Sequence, residues 1–340
     1  MKKKIALVTG SSGQDGSYLC ELLLKKKYKV IAADRRSARD TNWRHRKLKI
    51  DSKIIYEFFD LNDFNSILRI FKKYKINEVY NLAAQSFVKE SFNSPISSCE
   101  TTAIGPLRIL EVIREVDKKI KFYQASSSEM YGKTTGKIQN EKTKFDPQSP
   151  YAVSKLFAHE ITKNYKDAYG LFACSGILFN HESPLRGEEF VTKKIVKQLV
   201  EISQNKRKIL ELGNIYARRD WGYAKDYVEA MWLMLQKNKP RDYVIATGKS
   251  YYVKDFVNMC CKNLKIKIKW VGKNLNERAI DLNRKRTIIK INPDFYRPTE
   301  VNYLKGSYKE ALKDLKWKPT ISLKGLIKKM IDFEIKGTNL

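Results

Sequence analysis

Short runs of β-branched and aromatic residues alternate with longer segments of helical period through the first half of the chain. The runs predict strands near residues 5–8, 30–33, 54–58, 78–83, 121–125 and 172–179. The segments between them predict helices over about 17–26, 63–73, 95–116 and 151–169. Strands that alternate with helices are typical of a parallel sheet with helices on its faces. We therefore predict an α/β fold with a doubly wound parallel sheet.

The pattern changes after residue 179. A polar stretch at 181–189 leads into an amphipathic helix predicted at 191–204, and the basic segment 273–285 predicts a flexible loop. Further helices are predicted at 224–236, 253–264, 308–315 and 323–333. We predict two domains, one built on the doubly wound sheet over 1–180 and a smaller mixed α/β domain over 181–340. Segments at about 218–248 are expected to pack back onto the first domain.

Composition adds a strong positive charge to this picture. The 340 residues include 67 Lys and Arg against 37 Asp and Glu, a formal net charge of +30. Such charge favours nucleic acid, anionic membrane or phosphorylated ligands, but scattered lysines are typical of a solvated surface. No apolar run reaches the roughly 18 residues of a membrane span. The five cysteines have neither disulfide nor metal spacing. We expect a cytoplasmic protein with no metal site, binding neither nucleic acid nor membrane.

A glycine-rich loop follows the first predicted strand and precedes the first predicted helix. Its sequence is TGSSGQDG at residues 9–16. Glycines in this context allow a tight turn, close approach of the backbone to a pyrophosphate, and packing of the helix on the strand. The loop predicts that residues 1–180 form a dinucleotide-binding Rossmann domain, which leaves 181–340 as the predicted substrate domain. The predicted cofactor residues of this loop are Gly10, Ser12, Gly13, Gln14, Asp15 and Gly16.

The ends of the next predicted strands carry further candidate cofactor residues. An acid after the second strand binds the ribose hydroxyls of NAD, whereas Arg accepts the 2′-phosphate of NADP. The sequence offers both, as Asp34, Arg35, Arg36 and Ser37, and the paired guanidinium groups favour NADP. Asp60 and Leu61 are predicted near the adenine, and Leu82, Ala83, Ala84, Gln85 and Ser86 near the nicotinamide ribose.

Tyr151 and Lys155 lie one helical turn apart, so both side chains project from one face of a predicted helix. A nearby ammonium and an oxidised nicotinamide both favour a phenolate, which makes Tyr151 a candidate base for redox chemistry between a carbonyl and an alcohol. The fifth predicted strand ends near Ser127 and Glu129. These two residues can place a hydroxyl and a carboxylate opposite the tyrosine.

These features resemble an extended short-chain dehydrogenase/reductase. Within that group, several long stretches are similar to the GDP-mannose 4,6-dehydratase family. They are TGSSGQDGSYL (9–19), YQASSSEMYG (123–132), SPYAVSK (149–155), FNHESPLRGEEFVTKKI (179–195), ARRDWGYAKDYVEAMWLMLQ (217–236) and FYRPTEV (295–301). The resemblance spans nearly the whole chain.

The resemblance implies a reaction as well as a fold. Tyr151 would take the proton of the sugar 4-hydroxyl while hydride passes from C4 to bound NADP, with Ser127 bonding the same oxygen and Lys155 holding the ribose. Glu129 would remove the C5 proton, the C6 hydroxyl would leave as water, and hydride would return to C6. The cofactor would be recycled in place.

The resemblance also implies ligands in the second half of the chain. It puts His181 and Arg186 near the cofactor and Asn180, Arg218, Arg297 and Glu300 near the GDP moiety; His181 could equally be a buried core histidine. By their charge, Arg186, Lys193, Arg218, Arg219 and Arg297 are candidates for the diphosphate. The predicted substrate contacts are therefore Ser86, Ser127, Glu129, Tyr151, Asn180, Lys193, Arg218, Arg297 and Glu300.

Some positions differ from the family, and other functions stay open. The segment 37–48 is unusually basic where the family has a short Ser-rich loop that crosses to a neighbouring subunit. The resemblance implies a homo-oligomer, a dimer or a tetramer. GDP-manno-heptose is an alternative substrate for the same reaction. A GDP-keto-sugar reductase or epimerase, or a non-catalytic nucleotide sensor, is an alternative function.

Overall fold

This computed structural model describes residues 3–133 and 136–336. They contain fifteen strands and twelve α-helices. The strands are β1 (Ile5–Thr9), β2 (Lys29–Asp34), β3 (Ile55–Phe58), β4 (Glu78–Asn81), β5 (Lys121–Ser127), β6 (Ala173–Leu178), β7 (Asn180–Glu182), β8 (Leu210–Leu212), β9 (Arg218–Arg219), β10 (Trp221–Tyr223), β11 (Tyr243–Ile245), β12 (Tyr251–Tyr252), β13 (Ile268–Val271), β14 (Arg278–Asp281) and β15 (Arg286–Ile291). The helices are α1 (Gln14–Lys25), α2 (Trp43–Lys47), α3 (Phe64–Lys73), α4 (Glu90–Asn93), α5 (Pro95–Cys99), α6 (Gly105–Val116), α7 (Pro150–Tyr169), α8 (Val191–Ser203), α9 (Ala224–Leu235), α10 (Val253–Asn263), α11 (Lys309–Leu315) and α12 (Leu323–Lys336).

The central sheet has seven strands in the order β11-β6-β5-β4-β1-β2-β3, and every neighbouring pair is parallel. This order is that of a doubly wound sheet with one strand added at the edge. The predicted fold class is therefore confirmed, and all six predicted strands are present. The seventh strand, β11, was not predicted, because three residues are too few to show a periodicity.

Both faces of the central sheet are buried, and alternate residues of each strand explain why. Ala6 and Val8 of β1 belong to one apolar core, which includes residues of α1 and α9, whereas Leu7 belongs to the opposite core with residues of α3 and α6. Side chains of successive strand residues point to opposite faces, so a continuous apolar run is buried on both sides.

The helix predicted over 95–116 is not one continuous α-helix. It consists of α5, a π-helical turn at Glu100–Ile104, and α6. Pro106 has no backbone N–H to donate, and a side chain at Gly105 would meet Leu61, with an added Cβ only 2.8 Å from Leu61 Cβ. The hydroxyl of Thr102, in the π-helical turn, accepts a hydrogen bond from the backbone N–H of Gln85 at 3.1 Å. The turn thus joins this helix to the end of β4.

A four-stranded sheet, in the order β13-β14-β15-β8, forms the centre of the second half. Its core also includes residues of α8, α10 and α12. The prediction of one flexible loop over 273–285 was wrong, because β14 lies in this segment between β13 and β15. Ala279 and Asp281 of β14 are buried while Arg278 is exposed, and the surrounding basic residues obscured that alternation in the sequence.

Residues from the second half also complete the central sheet. Strand β11 pairs with β6, and Tyr227 of α9 and Leu315 of α11 pack in the same core as α1. The division of the chain at residue 180 into two domains remains a prediction. Within the described ranges, no helix combines the length and the apolar character needed to cross a membrane.

Candidate active site

A cavity of about 320 Å³ opens at the carboxyl ends of the central strands, between that sheet and the second half of the chain. Ligands of doubly wound sheets bind at this edge. Of the predicted site residues, the cavity wall contains Asp15, Leu82, Ala84, Ser86, Ser127, Glu129, Tyr151, Lys155, Asn180, His181, Arg186, Arg297 and Glu300. Distant parts of the sequence therefore meet in one place.

The glycine loop has the tight geometry that its sequence predicts. Gly10 has φ +65°, and a Cβ there would lie 2.8 Å from the backbone nitrogen of Ala83. A Cβ on Gly16 would overlap the carbonyl oxygen of Gly10. Helix α1 then begins at Gln14, and no side chain among the described residues caps its N-terminus. Its first backbone N–H groups can therefore bind an anion.

The carboxylate of Asp34, at the end of β2, bonds the glycine loop itself. It accepts hydrogen bonds from the Ser11 hydroxyl and, at 3.0 Å, from the backbone N–H of Ser12. Burial raises the pKa of Asp34 to about 6, against the opposing effect of these hydrogen bonds. Arg35 and Arg36, by contrast, are exposed. Asp34 thus stabilises the loop, while both guanidinium groups face solvent.

Residues of helix α2 are hydrogen-bonded to the same loop, and the sequence analysis did not predict this contact. Arg44 donates hydrogen bonds to the carbonyl oxygens of Ser12 at 3.0 Å and Leu185 at 2.8 Å. His45 Nε2 lies 2.8 Å from the carbonyl oxygen of Ser11. The basic segment 37–48 therefore contains a short helix bonded to its own chain. The only sequence signal for this helix was the unusual cluster of basic residues.

The predicted residues after β3 and β4 lie at the expected strand ends. Asp60 Oδ1 accepts a hydrogen bond from the backbone N–H of Asn62 at 2.9 Å, and the N–H of Ala83 donates to the Thr9 hydroxyl at 3.2 Å. Gln85 Oε1 is buried and has no hydrogen-bond partner among the described residues. An unpaired buried acceptor is costly, so it is available to a ligand hydroxyl.

Strand β5 and helix α7 bring four predicted catalytic residues together. Ser127 ends β5, Glu129 lies in the 3₁₀ turn that follows, and Tyr151 and Lys155 lie on α7. None of the four is more than 9% exposed. Helix α7 begins where Ser149 accepts a hydrogen bond from the N–H of Ala152 at 3.1 Å, followed by Pro150 in the first turn. This cap fixes the start of α7 and hence the position of Tyr151.

Burial opposes charge on both Tyr151 and Lys155. It raises the pKa of Tyr151 to about 12, although a hydrogen bond with Ser127 acts in the opposite direction. It lowers the pKa of Lys155 to about 8. Lys155 Nζ donates to the carbonyl oxygen of Ala125 at 2.7 Å and lies 5.9 Å from the centre of the Tyr151 ring. A cation bound beside Tyr151 would favour its phenolate.

His181 and Asp15 form an ion pair in the cavity wall, with Nε2 and Oδ2 2.7 Å apart. Burial alone would lower the pKa of His181, but the charge of Asp15 and the hydrogen bonds with Asp15 and the Phe179 carbonyl together raise that pKa. Burial alone would raise the pKa of Asp15, but His181, Arg186 and the hydrogen bond from Gln14 together lower it. The His181 ring also stacks on Tyr227, with ring centres 4.5 Å apart. His181 is therefore both a packed core histidine and a residue of the cavity.

Charged residues of the second half line the other wall. Arg219 donates to Glu300 at 3.1 Å, and the nearest nitrogen of Arg297 lies 3.8 Å from a Glu129 carboxylate oxygen. Arg186 lies over the ring of Phe190, 3.4 Å from its centre. Asn180 Oδ1 is buried without a hydrogen-bond partner among the described residues. This wall can bind an anion and offers a free acceptor.

The structure does not bring two predicted substrate residues, Lys193 and Arg218, to the cavity. Lys193 bonds the carbonyl oxygen of Pro184 at 2.8 Å and forms an ion pair with Glu334. Arg218 lies between Tyr252 and Tyr303, 5.0 and 5.2 Å from the ring centres. The next residue in each case, Lys194 and Arg219, lines the cavity instead.

The physical reason is the local geometry of the two elements. Successive residues of a helix differ by about 100° in direction, and those of a strand point to opposite sides. The side chains of Lys193 and Lys194, and those of Arg218 and Arg219, therefore point in different directions. Lys194 was missed because Lys193 stands beside it, and Arg219 was considered only by its charge.

The sequence profile of the family described as GDP-mannose 4,6 dehydratase matches residues 7–330. The chain is 44% identical to GDP-mannose 4,6 dehydratase of Drosophila melanogaster, over 98% of this chain and 87% of that protein. It is 45% identical to GDP-mannose 4,6-dehydratase of Vibrio cholerae, over 97% and 93%. The human GDP-mannose 4,6 dehydratase is 42% identical, over 99% and 93%.

Solved structures share the fold at lower identity. UDP-glucose 4-epimerase of Thermotoga maritima, solved with UDP-glucose, superposes with a TM-score of 0.82 at 23% identity, over 98% of this chain and 99% of that chain. A dTDP-glucose 4,6-dehydratase of Bacillus anthracis, solved with NAD, gives 0.81 at 20% identity, over 98% and 97%. These likenesses concern the architecture of the chain.

Proposed function

Since the chain belongs to the GDP-mannose 4,6-dehydratase family, we propose that it removes water from GDP-mannose to give GDP-4-keto-6-deoxymannose. It is a hydro-lyase. The observation that carries the substrate chemistry is the meeting of Ser127, Glu129, Tyr151 and Lys155 in one cavity. A reductase or epimerase of this fold needs the tyrosine and lysine, whereas a dehydratase also needs a carboxylate beside the catalytic hydroxyl.

In the proposed mechanism, Tyr151 Oη accepts the proton of the sugar 4-hydroxyl and Ser127 Oγ hydrogen-bonds the same oxygen. Lys155 provides positive charge beside Tyr151 and holds the ribose. Once C4 is a ketone, the C5 proton is acidic, and the Glu129 carboxylate removes it. The C6 hydroxyl then leaves as water, with a proton returned by Glu129. C5 regains a proton equivalent to the one that Tyr151 accepted from the 4-hydroxyl, so that the net loss is one water molecule.

A nicotinamide dinucleotide fits the residues of the first half. The uncapped N-terminus of α1 offers backbone N–H groups to a pyrophosphate, and the unpaired Gln85 Oε1 offers an acceptor to a ribose hydroxyl. When bound, the dinucleotide supplies reversible redox chemistry at the sugar without net consumption. The residues that would hold it are Gly10, Ser12, Gly13, Gln14, Asp15, Gly16, Asp60, Leu61, Leu82, Ala83, Ala84, Gln85, Ser86, Tyr151, Lys155, His181 and Arg186.

The end of β2 supports NADP over NAD. The Asp34 carboxylate already accepts two hydrogen bonds from the glycine loop, whereas Arg35, Arg36 and Ser37 are exposed beside it. Two free guanidinium groups match a 2′-phosphate. In this proposal Asp34 positions the loop, and the two arginines select the phosphorylated cofactor.

The second-half wall suits the nucleotide diphosphate of the substrate. Lys194 and Arg219, with Arg297, provide the cations, in place of Lys193 and Arg218. Glu300 can accept from ribose hydroxyls, and the Asn180 amide oxygen is free to accept a hydrogen bond. Ser86 lies near the catalytic end of the same cavity.

The outer face of α7 supports the predicted homo-oligomer. Val153 and Phe157 are 51% and 40% exposed, one turn apart, and Ile96 of the neighbouring α5 is 80% exposed. Contiguous exposed apolar residues mark an interaction surface. We propose that two copies pack through this face. The cytoplasmic location inferred from the cysteines, all five of which are free thiols, stays a prediction.

The test is incubation of the purified protein with catalytic NADP and GDP-mannose, followed by mass spectrometry. The expected result is loss of one water molecule per GDP-mannose with no net change in cofactor. Glu129→Gln, which keeps the shape and removes the carboxylate, should abolish water loss. Steady cofactor consumption, or no turnover with cofactor demonstrably bound, contradicts the proposal. GDP-manno-heptose, assayed in parallel, tests the alternative sugar.

A further inference from the structure

Two hydrogen bonds join strand β5 to helix α7 beside the catalytic residues. Lys155 Nζ donates to the carbonyl oxygen of Ala125 at 2.7 Å, and Ser126 Oγ lies within hydrogen-bond distance of His159 Nδ1, at 3.1 Å. Tyr151, Lys155 and His159 follow one another at four-residue spacing, so they share the buried face of α7. His159 is therefore the next residue in the row that carries the catalytic pair.

The Ser126–His159 pair is shielded from water. Ser126 is 3% exposed and His159 is 5% exposed. The ring of Phe145 packs edge-on against the imidazole, with ring centres 5.4 Å apart. A buried hydrogen bond of this kind is expensive to break, because neither partner can bond water in its place.

Neither residue has a role in the proposed chemistry, yet both adjoin it. Ser126 immediately precedes Ser127, and Glu129 lies two residues after Ser127, in the 3₁₀ turn. The Lys155 bond alone fixes one point of β5 on α7. A second bond, one residue further along the strand and one turn further along the helix, also fixes the orientation of the strand end.

We propose that Ser126 and His159 are positioning residues, whose hydrogen bond holds the end of β5 so that Ser127 and Glu129 stay opposite Tyr151. This inference rests on the proposed dehydratase function. It concerns orientation of the catalytic groups and not contact with the sugar. Displacements of about 1 Å at a reacting group can cost on the order of 100-fold in rate.

The test compares Ser126→Ala, His159→Leu and His159→Asn, each assayed for GDP-mannose dehydration. We expect kcat to fall at least about tenfold in the first two variants, with KM for GDP-mannose within about twofold. His159→Asn should recover most of the activity, because its amide occupies nearly the place of Nδ1. The double variant Ser126→Ala/His159→Leu should be no slower than the slower single variant, since both remove one interaction.

A matched control is Thr162→Val. Thr162 is buried on the same helix, and within 3–133 and 136–336 its hydroxyl bonds only the Ala158 carbonyl of its own helix, at 2.7 Å, so kcat should be unchanged. Unchanged kcat in Ser126→Ala, additive effects in the double variant, or a loss that merely follows the folded fraction would overturn the inference.

Hydrogen exchange provides a readout that does not depend on turnover. In the protein without added ligands, the amides of residues 127–129 should exchange faster in Ser126→Ala and His159→Leu than in the wild type, while those of β1 should not. Equal exchange in all variants contradicts the positioning role. A wild type that dehydrates no GDP-mannose would instead contradict the proposed function, and the exchange experiment would still decide the role of the pair.

Discussion

The ammonium group of Lys155 is buried with one backbone carbonyl as its bonded partner, and this burial has an energetic cost. Burial lowers the pKa of Lys155 from 10.5 to about 8, so the folded protein binds fewer protons than the unfolded chain between these values. The free energy of unfolding should therefore rise as pH rises from 8 to 10.5. Below pH 8 the penalty is present in full, about 3 kcal/mol at most. We therefore expect the lysine that the proposed reaction needs to lower the free energy of unfolding.

Lys155→Met should remove this penalty together with the activity. Loss of the hydrogen bond to Ala125 offsets part of the gain, so we expect roughly 1–2 kcal/mol of added stability at pH 7 and less at pH 9.5. Urea unfolding at the two pH values measures the difference. Lys163→Met, which changes an exposed lysine of the same helix, is the control. A difference between variant and wild type that does not depend on pH contradicts this account.

Arg35 and Arg36 provide a second residue-scale prediction. Replacing both with alanine should raise KM for NADP about tenfold or more and leave KM for NAD nearly unchanged, because only NADP carries the 2′-phosphate. Steady-state kinetics with each cofactor measures the change. Arg39→Ala, at another exposed arginine of the same segment, should affect neither value. Equal losses with both cofactors would argue against phosphate recognition.

At the scale of elements, helix α8 places two adjacent lysines in different surroundings. Lys193 is 5% exposed and bonded to Pro184 and Glu334, whereas Lys194 lines the cavity, 3.5 Å from the centre of the Phe295 ring. Their roles follow from the rotation of the helix between consecutive residues. The two positions form a natural matched pair.

Lys194→Met should raise KM for GDP-mannose about tenfold with little change in the free energy of unfolding, because it removes a cation from the diphosphate site. Lys193→Met should do the reverse: it leaves the Glu334 carboxylate without its partner, at a cost of about 1–3 kcal/mol in stability. Kinetics and urea unfolding of both variants check the assignment. A higher KM in Lys193→Met, with lower stability in Lys194→Met, would assign Lys193 to the substrate site in place of Lys194.

At the scale of elements, a large part of the fold could be predicted from the sequence. The long apolar strands β1 to β6 and the helices between them follow from periodicity, and the candidate site residues Ser127, Glu129, Tyr151 and Lys155 follow from their strand-end and helical spacing. The π-turn depends on how Gly105 and Pro106 meet Leu61 in three dimensions, and α2 depends on bonds to the glycine loop. Such long-range contacts leave no periodic signal. The choice between Lys193 and Lys194 required the helix orientation.

At the scale of the whole molecule, the apolar face of α5 and α7 predicts self-association. Phe157→Glu should shift the protein towards the monomer, because a buried carboxylate without a partner destabilises an interface. Analytical ultracentrifugation measures the shift. Phe64→Glu changes a phenylalanine of similar exposure, 43% against 40%, on α3 and should leave the association unchanged. An identical sedimentation profile for wild type and Phe157→Glu would exclude this face.

The seventh strand of the central sheet gives the molecule a fixed order of assembly. While the chain is being synthesised, β6 leaves the ribosome with one edge unpaired, and β11 reaches it only after residue 245 has emerged. Helix α11 and Trp317, which cover the same side, emerge later still. Nascent chains that stop near residue 180 therefore present an open strand edge, a template for wrong pairing. The central sheet is therefore complete only after residues well beyond 180 have been synthesised, so its assembly requires both halves of the chain.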